Sequence, residues 1–200
     1  MKRSLAIILS ICFVLCLTAC SKDKTASDVM SESPPIENLF NFVLIDETTS
    51  LIQGYDKTHL TIGTYVLTSL NGNVFPSVLE IPTQYKGVPV TAVYGNLLDG
   101  KNIETIVFPT TIKIVGSNLC GGGCNCPNLK NIVCLGDEPF ALGSFSLNPS
   151  QLNGGCKIYV PDKKVDVYKT SKLGIIPFET YADLIYPISS LDEETKKLIS

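Results

Sequence analysis

Any chemistry in this chain has to come mainly from cysteine. Eight cysteines occur in 200 residues, at Cys12, Cys16, Cys20, Cys120, Cys124, Cys126, Cys134 and Cys156. Thiols ligate soft metals, pair as disulfides, attack as nucleophiles or carry lipid. Cys120-x3-Cys124-x-Cys126 puts three of them within seven residues, with Cys134 close behind. That density raises a metal site, but zinc sites are usually built on two C-x2-C pairs, and this spacing contains none. No metal ligand is therefore assigned. A disulfide among Cys120, Cys124 and Cys156 and a set of inert thiols both stay open. His59, the one histidine, lies in the polar stretch Asp56-Lys-Thr-His59-Leu60 with no H-E-x-x-H or G-x-S-x-G around it. Gly121-Gly-Gly lacks the Lys-Ser or Lys-Thr of a phosphate loop. Asp137-Glu138 and Asp192-Glu193-Glu194 read as turns and a solvated helix rather than acid–base pairs. The expectation is a protein that is not an enzyme, with no catalytic residue and no cofactor.

Cys20 is different because of what precedes it. Lys2 and Arg3 put positive charge ahead of Leu5 to Leu17, an apolar run of thirteen residues. As a helix it covers about 20 Å, short of the roughly 30 Å of a bilayer's hydrocarbon, so it reads as a signal peptide rather than a permanent span. The run ends in Leu17-Thr18-Ala19-Cys20, which resembles the lipobox of bacterial lipoproteins. That resemblance implies cleavage after residue 19 and a lipid, palmitate among its acyl chains, on Cys20. Two or three acyl chains anchor a protein stably without a spanning helix. Five cysteines then remain in the mature chain, an odd number, so at least one is free or bonds another molecule.

Residues 20–38 read as the acylated N-terminus and a flexible linker. The stretch 21–35 holds few apolar side chains and ends in Pro34-Pro35, too little to bury a core. Lys22-Asp23 resembles the surface-export signals of some Bacteroidetes lipoproteins. The remaining chain suffices for one domain, expected over 39–188. A formal charge of -3 with no basic stretch gives no footprint for nucleic acid.

Within that domain the chain repeats itself. Leu79-Glu-Ile-Pro82, Ile106-Val-Phe-Pro109, Ile132-Val-Cys-Leu135 and Ile158-Tyr-Val-Pro161 follow one another at 27, 26 and 26 residues. Each is a β-rich run stopped by proline or Leu-Gly, hence one strand per unit. Cys134 falls at a position equivalent to Phe108 and Val160, which places it in the core. A second apolar cluster appears as Val90-Thr-Ala-Val93 and Ile112-Lys-Ile-Val115. A period in the twenties with one strand per unit predicts a β-rich solenoid.

The pattern resembles the BspA-type leucine-rich repeat of bacterial surface proteins. Pro109, Val115-Gly116, Leu119 and Cys126-x-x-Leu129 follow that family's order, Leu97-Leu98 stand in for its Ala-Phe pair, and Gly-Val-Pro-Val at 87–90 is similar to its first-unit insertion. The resemblance covers 79–161 and implies that Cys126 packs inside. Gly121 to Cys124 lengthens the second unit as an outward loop, and the third unit, from Asp137 to Cys156, has lost most of the pattern. The expected fold is a short leucine-rich-repeat array with an N-terminal β cap over Phe40 to Leu70 and a C-terminal strand-helix cap. Residues 189–200 are expected to form an exposed tail, helical over 191–199, with Ser190 and Glu193 at capping-box spacing and an ion pair from Glu193 to Lys197.

The resemblance implies a bacterial cell-envelope protein, lipid-anchored in the outer membrane and surface-exposed, that binds protein or another macromolecule or mediates adhesion. The alternative is a periplasm-facing scaffold or assembly lipoprotein. The sequence singles out no ligand-binding residue. Tyr85 and Tyr94 read equally as contact residues or as caps on the core.

Overall fold

The structure, a computed structural model, describes residues 36–49, 51–52, 55–56, 60–120, 126–147 and 155–199. The signal segment, Cys20, most of the linker, His59, Gly121 to Cys124 and the end of the third repeat lie outside them. The chain divides after Glu32 into two units, and all described residues belong to the second, 33–200.

The described chain opens with a helical turn, α1 (Ile36–Leu39), inside the stretch read as linker, and passes into β1 (Phe40–Leu44). Short β2 (Leu51–Ile52) and β3 (Tyr55–Asp56) pair with each other, and β4 (Tyr65–Leu70) returns antiparallel to β1. Phe40, Phe42 and Leu44 do not share one face. A register irregularity between Asn41 and Phe42 interrupts the alternation, and Leu44 ends exposed.

From there strands fall alternately into two sheets. They are β5 (Val78–Glu80), β6 (Gln84–Tyr85), β7 (Val88–Val93), β8 (Thr105–Phe108), β9 (Ile114–Val115), β10 (Asn131–Cys134), β11 (Ala141–Leu142), β12 (Lys157–Val160) and β13 (Ile185–Pro187). One sheet runs β1-β4-β7-β9-β11, with β6 folded back on β7, and the other runs β13-β12-β10-β8-β5. The β6–β7 hairpin turns at Lys86 and Gly87, both with positive φ (50° and 77°), the backbone a tight two-residue hairpin requires.

The second sheet is parallel throughout and in register: Leu79, Ile106, Ile132, Ile158 and Ile185 occupy one column. All five are buried, with Phe108, Cys134 and Val160 beside them. The first sheet supplies the facing column, Leu67, Val93, Val115 and Leu142, also parallel and buried. The two columns belong to one hydrophobic cluster, closed by Leu97, Leu98, Leu119, Leu129 and Leu147. Because side chains alternate along a strand, the neighbours of these residues must face outward.

Two features depart from the sequence reading. The third repeat keeps its strand: β11 pairs with β9, and Gly143 explains its glycine, since a Cβ there would stand 2.5 Å from the backbone nitrogen of Ser117. A fifth rung, β13, follows β12 at a spacing of 27 residues, after the short helix α2 (Val165–Lys169) and a 3-10 segment (Phe178–Leu184). Tyr168 of α2 is buried, and its hydroxyl donates to the carbonyls of Gly136 (2.9 Å) and Glu138 (3.2 Å).

The tail is a correction. Residues 189–199 are not simply exposed: Leu191 is 2 % exposed and packs with Val107, Val133 and Tyr159. Helix α3 (Glu193–Leu198) is capped by Asp192, whose carboxylate accepts from the backbone N–H of Thr195 at 2.8 Å. Ser190 instead donates to the Pro187 carbonyl, and the ion pair of Glu193 is made with Lys196 at 2.7 Å rather than with Lys197.

Candidate functional site

Residues one turn of the repeat apart are laterally adjacent, so polar side chains meet their counterparts. Thr64 and Thr91 share a hydroxyl contact of 2.6 Å. Asn131 donates to Thr105 at 3.0 Å, Lys130 pairs with Glu104 at 2.9 Å, and Asn128 donates to Asn102. These bonds link rungs that apolar packing alone would let slip.

A second stack runs along the bends after the first sheet. Asn96, Asn118 and Phe145 all adopt left-handed backbone, at φ of 61°, 56° and 56°. Asn96 donates its backbone N–H to the Asn118 carbonyl at 2.7 Å, and Asn118 donates to Ser144 at 3.0 Å. Asparagine tolerates this conformation; phenylalanine does so only under strain. Phe145 is also 57 % exposed, so burial of its ring does not offset that strain.

The outward faces of the two sheets differ in what covers them. On the first, Val66, Ala92, Ile114 and Ala141 form a small apolar column covered by Ile45, with Leu60 packed against it. On the second, Val107, Val133 and Tyr159 are covered by Leu191, flanked by Val78, Tyr186, Ile188 and Ile199. Beside that apolar contact is a polar hollow of about 270 Å³. Ser77, Thr105 and Asn131 line it from the starts of β5, β8 and β10, Glu104 and Lys130 border it, and Asp192, Glu194, Thr195 and Leu198 face it from the tail. Asp162, ahead of α2, accepts the backbone N–H of Ser189 at 2.9 Å and ties the tail to the body. That bond, the Ser189 side chain and the nearby Lys196 hold the Asp162 carboxyl below its ordinary value. The backbone and side chain of Thr195 do the same for Asp192.

Of the cysteines, Cys120, Cys126, Cys134 and Cys156 are described, all buried and unpaired. Cys134 sits in the core column, and burial pushes its thiol far up. Cys126 donates to the Leu98 carbonyl at 3.4 Å. Its side-chain hydrogen bond with Cys120, then burial, pushes the Cys120 thiol up as well. Burial, with Cys120 nearby, raises Cys156 to about 12. A thiol held protonated is neither a nucleophile nor a metal ligand at neutral pH. Among the described residues, no group of three or more His, Cys, Asp or Glu side chains is arranged to hold a metal ion.

The two tyrosines separate. Tyr85 stacks on Phe42, ring centroids 4.3 Å apart, and meets Tyr65 edge-on, whereas Tyr94 stands exposed. Sequence reasoning missed the tail's contact, although Leu191 and Ile199, two apolar residues in a charged stretch, were its signal. Among the described residues no helix is long and apolar enough to cross a membrane. No protein-family model, curated protein or solved structure matches this chain.

Proposed function

We propose that this chain is a lipid-anchored, non-enzymatic binding protein of the bacterial cell surface. In this reading a short leucine-rich-repeat solenoid, of the BspA type that its sequence resembles, is tethered to the membrane through acylated Cys20. The observation that carries the binding-domain half is the five-strand parallel register of Leu79, Ile106, Ile132, Ile158 and Ile185 at intervals of 26 or 27 residues. A domain stacked in this way presents rows of side chains at fixed intervals, which suits recognition of an extended macromolecule. Thiols kept protonated by burial favour a structural role for the cysteines over a catalytic one. The anchor rests on Leu17-Thr18-Ala19-Cys20 behind a short apolar run. Many copies on one membrane would raise the effective concentration of a weak single site.

The anchor is tested by expressing the wild-type chain and Cys20→Ser in a bacterial host supplied with labelled palmitate. The wild type is expected to take up label and sediment with membranes, and the variant to do neither. An unlabelled wild type, or a variant that stays membrane-bound, would overturn the lipid anchor.

A further inference from the structure

The outward face of the second sheet carries an apolar stripe across adjacent rungs, from Val107 through Val133 to Tyr159, with Tyr186 on the next. Left open to water, such a stripe marks an interaction surface. In this chain residues 188–199 fill it, but with a thin hold. Leu191 is the one fully buried side chain of the segment. Among the described residues, one hydrogen bond, from Ser189 to Asp162, reaches a residue outside 187–199. The other polar contacts of the segment are internal, such as Lys196 to the Ser189 carbonyl and to Glu193. Beneath α3 the hollow of about 270 Å³ lies where close packing would otherwise be. Few buried contacts and largely local hydrogen bonding mark a segment that opens independently of the core.

We propose that residues 188–199 are a displaceable strap occupying, in cis, a docking surface for a protein segment of the same chemistry. That segment has a leucine-sized anchor for the seat formed by Val107, Val133 and Tyr159, followed by an acidic, N-capped helical turn over the polar starts of β8 and β10. Lys130 lines the same hollow as Glu194 of the strap, so an acidic turn in trans meets a cation there. The biological use of the surface rests on the binding-protein reading. Its test does not, because binding in solution is independent of where the protein is anchored or which way it faces.

The probe is a fluorescein-labelled synthetic peptide of residues 187–200, titrated by anisotropy against the full chain and its Leu191→Asp variant. A strap closed nine-tenths of the time weakens binding in trans by about tenfold, about 1.4 kcal/mol. The variant is therefore expected to bind the peptide about tenfold more tightly than the wild type, and a Leu191→Asp peptide is expected not to compete. Equal affinity for both chains, or binding to neither, overturns the proposal. Concentration-dependent dimerisation of the wild type overturns the cis arrangement in favour of strap exchange between copies. Amide exchange on the wild type serves if the variant does not fold: the N–H groups of 195–198 should exchange by local opening while those of Ile132 and Ile158 stay protected. Exchange of both sets at one rate also overturns it.

Discussion

Ile132 sits in the middle of the second sheet's inward column, fully buried, with Ile106 and Ile158 in register on either side. Ile132→Ala removes three carbons at a point where neither neighbour can move in to fill the space. Each is held by its own strand, and those strands are bonded on both sides. Truncating a buried isoleucine to alanine costs about 2–5 kcal/mol, the larger values where the site cannot collapse, so about 3–4 kcal/mol is expected. For a domain of this size that is a fall in melting temperature of roughly 6–16 °C. The assay is urea unfolding followed by circular dichroism, with Lys163→Ala as an exposed control expected to stay within about 0.5 kcal/mol of the wild type. A loss below about 1 kcal/mol at Ile132, or one matched by the control, would mean that the stacked column does not carry the stability ascribed to it.

Phe145→Asn, which restores the residue type found at Asn96 and Asn118, should stabilise the chain by about 1 kcal/mol in the same assay by relieving left-handed strain; a destabilised variant would show that the ring holds something in place. Native protein treated with a thiol reagent at pH 7.5 should leave Cys134 and Cys156 unmodified until it is unfolded, since burial disfavours both thiolates. Rapid labelling of either, mapped by peptide mass, would contradict the burial described. Asp162 and Asp192 both titrate below the ordinary carboxylate value of 3.8. A depressed folded-state pKa means that their stabilisation is present above 3.8 and is lost as pH falls through the lowered value. Acid should therefore release α3 before the β10 and β12 amides lose protection; simultaneous loss of both would argue against a separately held strap.

The inward column was legible because it depends on one short pattern, an aliphatic pair closed by proline, at a constant interval. Its fifth member was not. Ile185-Tyr-Pro187 follows two short helical stretches and reads as part of a closing helix, and only lateral pairing with β12 marks it as another rung. The third repeat looked degenerate because Leu142, Gly143 and Leu147 keep the geometry while the residues around them abandon the consensus. Gly143 declares its purpose only through the approach of Ser117 from the neighbouring turn. The strap was misread because its composition is that of a solvated helix, and one buried leucine leaves no periodic signal. Local spacing likewise favoured Ser190 as the cap, whereas the chain bends so that Asp192 takes that position. The anchor is the reverse case: Cys20 is read entirely from its neighbours in sequence.

The most direct measurement of the account as a whole is protease accessibility on intact cells expressing the chain, followed with an antibody to the domain and compared with lysed cells. A lipid-tethered surface binder should be cleared from intact cells while a periplasmic control protein survives. Protection in intact cells with cleavage after lysis would contradict surface display and turn the reading to a protein facing the interior of the envelope.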